Sequence, residues 1–236
     1  MTELLYQTDS YLKEFDAVVT AVDEEKRGVL LDRTAFYPGG GGQPNDDGEL
    51  VADGQVYRVG KVERGNLHII EGDLPAVGTP VHGVLNWERR YKLMRTHTAM
   101  HILCGVVWRD YGASVTGGNM EPLEGRMDFE FERLQKELVS EIEQKINAEI
   151  DAARDLRVKI LPRAEAFAIP DLIRTKINLL PEVIAEVRTV EIVGLDLQAD
   201  GGTHVANTRE VGRIRITDYK SKGGINKRIY VRIEDA

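Results

Sequence analysis

The runs Arg95-Thr-His-Thr-Ala-Met-His-Ile-Leu103 and Gln198-Ala-Asp-Gly-Gly-Thr-His-Val-Ala-Asn207 hold three of the chain's five histidines. On a helix, the spacing of His97 and His101 puts both imidazoles on one face, one turn apart. A third nitrogen, from His204 in a distant glycine-flanked turn, completes an open zinc site that keeps one position for water or substrate. Asp200, four residues before His204, offers a carboxylate as a fourth ligand. The competing reading is a set of helix-surface and turn histidines that hold no ion. The zinc-protease pattern is excluded, because it needs Glu directly after the first His and Thr98 stands there. Cys104 reads as core packing, since three successive helical turns do not wrap one tetrahedral ion. His68 and His82 lie in strand-like runs without partners in sequence and read as structural or surface residues.

Working outward, Trp87 to about Asp110 reads as the helix that carries the pair. Upstream, residues 1–87 read as all-β. Two short strands flank the turn at Glu24–Gly28, and short apolar runs then alternate with Gly and Asp turns up to a closing strand in GTPVHGVLNW. Many short strands with frequent turns predict a small barrel. Inside it stand four successive glycines, Gly39–Gly42, which permit positive φ and close backbone approach. Without further context they describe a flexible hairpin loop. Downstream, Gly112–Gly118 reads as a break and Met127–Phe131 as a half-buried strand. Arg133 to about Asp155 reads as an amphipathic helix, with Leu134, Leu138, Ile142, Ile146 and Ile150 on one stripe. Val158–Leu161 and Val187–Ile192 are predicted strands, Pro162–Lys176 an interrupted helix, and Arg213–Ile216 and Arg228–Ile233 two further strands.

Composition narrows the function classes. No apolar run approaches the roughly 18 residues that span a bilayer. The first residues carry acids early and lack a cationic flank, so no export signal is expected. One cysteine excludes an internal disulfide framework and fits a reducing cytoplasm. A formal charge of −8 argues against a generic nucleic-acid coat. The charge is uneven, however: Val205–Ala236 carries eight basic residues against four acids. A second basic cluster, Arg89, Arg90, Lys92 and Arg95, leads into the histidine pair. A solvated face explains either cluster equally well.

Four segments together resemble a known family: Leu31–Gly48 (LDRTAFYPGGGGQPNDDG), Arg95–Leu103, Ser114–Glu132 (SVTGGNMEPLEGRMDFEFE) and Gln198–Ile216. They are similar to the AlaX proteins of medium length, free-standing relatives of the alanyl-tRNA synthetase editing domain, and the similarity extends over nearly the whole chain. The resemblance implies an α+β fold. Residues 1–87 would form a small glycine-rich β-barrel, and residues 88–236 an α+β editing domain shared with threonyl- and alanyl-tRNA synthetases.

It also implies a trans-editing hydrolase. Such an enzyme cleaves, without ATP, the ester between a wrong amino acid and tRNA(Ala), chiefly Ser-tRNA(Ala) and in some members Gly-tRNA(Ala). A synthetase pocket built for alanine cannot strongly reject serine, so a second, hydrolytic site has to clear the error. One Zn2+ per chain is implied, on His97, His101 and His204. The usual fourth ligand is a cysteine, and this chain has Asp200 in its place; ligation by Asp200 is the favoured reading, with an outward turn that orients a water as the other. The resemblance further places Thr34 on the serine hydroxyl, Gln43 on the ester or the water, and the backbone of Gly40 and Gly41 against the aminoacyl end. Arg89, Arg90, Lys222, Lys227 and Arg228 are candidate contacts to the tRNA backbone. Two other classes stay open: a tRNA-binding module whose zinc is purely structural, and a metal hydrolase of small esters or amides.

Overall fold

The computed structural model describes residues 2–174 and 184–235, which fall into two compact units, Met1–Lys92 and Leu93–Ala236. The chain is α+β. In the first unit the strands are β1 (Glu3–Leu4), β2 (Glu14–Asp23), β3 (Gly28–Leu31), β4 (Arg33–Thr34), β5 (Gly48–Ala52), β6 (Gln55–Glu63), β7 (Leu67–Glu71) and β8 (Pro80–Leu85). Six of them close a barrel in the order β2-β3-β7-β6-β5-β8. The alternation in β2 sends Phe15, Ala17 and Val19 inward, where they meet Leu31, Phe36, Leu50, Val59, Ile70 and Leu85. This is the period-2 pattern of a strand with one buried face. β1 pairs in parallel with β4 outside the barrel.

The glycine run connects β4 to β5 and is not a loose loop. Gly39, Gly40, Gly41 and Gly42 have φ of 80°, 140°, 58° and 92°, all in the region that disfavours a Cβ. Gly40 and Gln43 exchange both backbone hydrogen bonds, at 3.0 and 2.9 Å. The Tyr37 hydroxyl donates to the Gly40 carbonyl at 3.0 Å. Just beyond the run, the Asp46 carboxylate accepts from the Tyr37 amide at 2.6 Å.

Asp46 is itself held by Arg90, which has no exposed surface. The Arg90 Nε lies 2.9 Å from both Asp46 oxygens, and Nη2 bonds the same carboxylate. The remaining donors reach the Ser10 carbonyl at 3.0 Å and the Ala35 carbonyl at 2.5 Å. One guanidinium thus fastens three separated segments of the first unit. Removing one partner of a buried pair leaves the other charged and unpaired, at a cost of about 3–5 kcal/mol.

Helix α1 (Trp87–Tyr111) starts in the first unit and continues into the second. From Leu93 to Val107 every residue is buried, so this stretch shows no amphipathic stripe: it is covered on all sides. The second unit continues with β9 (Val115–Glu121), β10 (Glu124–Glu130), α2 (Lys136–Asp151), β11 (Leu156–Pro162), α3 (Arg163–Phe167), β12 (Glu186–Ile192), β13 (Asp196–Ala199), β14 (Arg213–Ser221) and β15 (Asn226–Glu234). One sheet has the order β14-β15-β10-β9 and the other β11-β12-β13. Ile142, Ile146 and Ile150 form the buried stripe of α2. The same helix satisfies the edge of β14. The Asn147 side chain donates to the Ile214 carbonyl at 2.8 Å and accepts from its amide at 3.0 Å, and Glu143 accepts from the Ile216 amide at 2.7 Å. A buried amide here takes the place of a neighbouring strand.

Three expectations are corrected. α2 begins at Lys136, not Arg133, which leaves Leu134 outside the stripe. The expected break at Gly112–Gly118 is largely strand: β9 pairs antiparallel with β10, with Gly118 opposite Met127. Between Pro162 and Lys176 only Arg163–Phe167 is helical, and Thr175 and Lys176 lie outside the described residues. No described helix is long and apolar enough to cross a membrane.

Arg90→Ala is predicted to destabilise the protein by about 3–5 kcal/mol in urea unfolding. A change below about 1 kcal/mol would show that the Asp46 pair is dispensable.

Candidate metal centre

His97, His101, Asp200 and His204 converge in the second unit. Their ligand atoms all lie within 4.8 Å of one another. α1 supplies the first two, one turn apart on a buried helix. The other two come from the segment after β13, where the Asp200 carboxylate bonds the Gly202 amide at 2.8 Å and closes a small turn. That turn folds His204 back, so that its Nε2 is 3.0 Å from Asp200 Oδ2. His97 Nε2 is 3.5 Å from Asp200 Oδ1. The His97 and His204 rings stack with centroids 4.2 Å apart, and His101 meets both edge-on at 5.0 and 4.7 Å.

Burial pushes the His97 pKa well below the usual imidazole range, and burial brings His204 down to about 4. Burial opposes the Asp200 charge, but the hydrogen bond from His204 favours the carboxylate, and its pKa lies well below the usual range. Neutral imidazoles beside a carboxylate are the protonation states that bind a divalent cation. Donor separations of 3.0 and 3.5 Å bracket the ~3.3 Å edge of a tetrahedron built on ~2.0–2.1 Å bonds. The donor set therefore fits a metal ion.

Further residues hold the donors in place. His204 Nδ1 lies 3.1 Å from Thr98 Oγ1, which also accepts from the Val205 amide at 3.3 Å. Arg188, buried on β12, donates to the Asp200 carbonyl at 3.0 Å, and its guanidinium is 3.8 Å from Asp200 Oδ2. The sequence offered a weak signal for Thr98, which sits between the two helical histidines, and none for Arg188, one of several polar residues in the strand EVRTVEI. Cys104 is buried outside the cluster, where burial, and then the nearby Asp196 charge, push its thiol up. Its sulfur is not among the clustered ligand atoms, and a thiol held protonated is a poor nucleophile.

Thr34 and Gln43 belong to the first unit, and both are buried. The Thr34 hydroxyl pairs with His68 Nε2 at 2.8 Å and accepts from the Phe36 amide at 3.1 Å. His68 Nδ1 faces the Val29 carbonyl at 3.2 Å, which fixes the proton on Nδ1 and makes Nε2 the acceptor. Burial lowers the His68 pKa to about 4, so the ring is neutral. The Thr34 proton therefore points to His68, and one lone pair of its oxygen stays unassigned. His68 is a structural residue of the barrel. His82 lies at the surface, partly exposed, with Nδ1 2.8 Å from Asp16 Oδ1.

The expected tRNA contacts divide. Arg90 is corrected: a guanidinium with no exposed surface, held by Asp46 and two carbonyls, offers nothing to a phosphate. Lys227 is corrected on the same ground; it is buried and donates to the Gly224 carbonyl. Arg228 grips Asp128 at 2.6 and 2.8 Å. Arg89 is partly exposed and pairs with Asp47 at 3.1 Å. Lys222 is exposed.

Two family models match the chain. "Threonyl and Alanyl tRNA synthetase second additional domain" covers residues 187–230, and "tRNA synthetases class II (A)" covers residues 5–89. Each covers less than half of the chain, one in each unit, and both describe parts of aminoacyl-tRNA synthetases. Similarity to characterised relatives is more specific. The alanyl-tRNA editing protein AlaX-M of Saccharolobus solfataricus is 42% identical, over 99% of this chain and 100% of its own. The AlaX-M protein of Methanosarcina mazei is 40% identical over 100% and 98%. The alanine–tRNA ligase of Pyrococcus furiosus is 40% identical over 91% of this chain but only 24% of its own length. The chain belongs to the AlaX-M family of alanyl-tRNA editing proteins.

Proposed function

We propose that this protein is a cytoplasmic trans-editing hydrolase that deacylates mischarged tRNA(Ala), chiefly Ser-tRNA(Ala) and also Gly-tRNA(Ala), with one zinc ion per chain. The observation that carries the reading is the convergence of His97, His101, Asp200 and His204 within 4.8 Å, in a chain 42% identical to an alanyl-tRNA editing protein. The four residues would hold the ion, with Asp200 in the place of the usual thiolate. Bound zinc supplies a Lewis acid for the aminoacyl ester. Water adds to the ester carbon, the bond to the ribose oxygen breaks, and free amino acid and intact tRNA leave.

Residues of this chain prepare that step. Thr98 and Arg188 fix His204 and Asp200, so the donors need little reorganisation when the ester arrives. Thr34 reads the serine hydroxyl through its unassigned lone pair, and Gln43 orients the ester or the water. The backbone of Gly40 and Gly41, which carry no Cβ, approaches the aminoacyl end. Lys222, Arg89 and the outer edge of Arg228 contact tRNA phosphates.

A second reading has its own support. Four protein donors close a tetrahedron, as structural zinc sites do, and the chain would then bind tRNA without cleaving it. Hydrolysis of Ser-tRNA(Ala) separates the two. The His97→Ala/His101→Ala variant is predicted to fall to the rate of Ser-tRNA(Ala) incubated without protein; retention of the wild-type rate with intact fold would remove the catalytic centre. Thr34→Val is predicted to slow Ser-tRNA(Ala) about tenfold more than Gly-tRNA(Ala), the worth of one hydrogen bond. Equal loss on both substrates would assign Thr34 to its His68 bond alone.

A further inference from the structure

Asp196 is a buried carboxylate that the proposed chemistry leaves without a role. It is the first residue of β13, and its side chain is 1% exposed. Arg174 Nε lies 3.3 Å from Oδ1, with its guanidinium 4.9 Å over the Trp108 ring. The Gln198 amide donates to Oδ2. The same Oδ2 is 3.8 Å from His101 Nδ1. That nitrogen is buried and has no hydrogen-bond partner among the described residues. His204, by contrast, has its Nδ1 on Thr98.

The approach of Asp196 to α1 is built into the sequence. Gly105 stands one turn beyond His101 on the same helix. A Cβ at Gly105 would lie 2.9 Å from the Asp196 Cβ and 3.0 Å from the Leu195 Cγ. Any side chain there would drive the start of β13 away from the helix. A glycine in a buried helix interior is otherwise unfavourable, so the close approach gives it a reason.

We propose that Asp196 orients His101: its carboxylate accepts the Nδ1 proton and leaves Nε2 for the metal. A ligating histidine that hands its other N–H to a carboxylate is held in one tautomer and is a stronger donor. Arg174 and Gln198 hold the Asp196 carboxylate in place. The inference rests on the metal reading of the same site. Asp196 acts through His101 and touches no reacting atom, so it is a positioning residue.

The test is zinc affinity, measured by competition with a chromophoric chelator on the purified full chain. Asp196→Asn keeps the shape and removes the charge. It is predicted to bind one zinc per chain with a dissociation constant raised about tenfold or more, and Asp196→Glu to recover part of the loss. Unchanged affinity in a folded Asp196→Asn protein overturns the inference and leaves the metal centre standing. A wild-type protein that takes up no zinc overturns both. Long-range 1H–15N spectra of the zinc-loaded wild type decide the point without any variant. The proton of His101 is expected on Nδ1, and a proton on Nε2 overturns the assignment.

Discussion

Everything in the second unit answers to one constraint: three imidazoles and a carboxylate must share a volume only 4.8 Å across, almost out of contact with water. Buried charges and polar groups are costly unless each is paired. The fold meets that demand with residues that do no chemistry. Thr98 takes His204 Nδ1, Arg188 takes the Asp200 carbonyl, and the Gly202 amide takes its side chain. The site therefore draws on α1, β12 and the turn after β13, and none of the three forms it alone. α1 is buried through its middle by the apolar residues that flank the two histidines, among them Leu93, Met100, Leu103 and Val107.

The first unit shows the same economy with a different charge. Arg90 and Asp46 have almost no exposure, and they tie the start of α1 to the segment that follows the glycine run. The run itself is a tight turn with both of its backbone bonds made and every glycine at positive φ. Its shape follows from the missing Cβ atoms and from its anchors at Tyr37 and Asp46. A cation that appears free in a basic cluster is here the anchor of a loop. Other basic residues are likewise paired with acids: Arg95 with Asp235 at 2.7 Å, and Arg228 with Asp128.

The architecture was legible where local pattern and burial agree. Period-2 runs with frequent turns announced the barrel, the isoleucine stripe announced α2, and the split histidine runs announced the cluster of His97, His101, Asp200 and His204. The correct family emerged from four separated segments, and the relatives bear it out. Long-range pairing was not legible. Nothing in Arg89-Arg90 distinguishes a partly exposed guanidinium from one sealed against Asp46, because the partner lies 44 positions away. Asp196 and Gly105 look ordinary until the helix and the strand meet. Gly112–Gly118 reads as a break because glycine is rare in strands, yet β9 gains its place by pairing with β10.

The account turns on one cation held by these four residues and needed for ester hydrolysis. The most direct test strips the protein with a chelator and titrates zinc back while single-turnover hydrolysis of Ser-tRNA(Ala) is followed. The account predicts an inactive stripped protein whose rate rises with added zinc and levels off at one equivalent per chain. A stripped protein that hydrolyses at the full rate and ignores added zinc would contradict it.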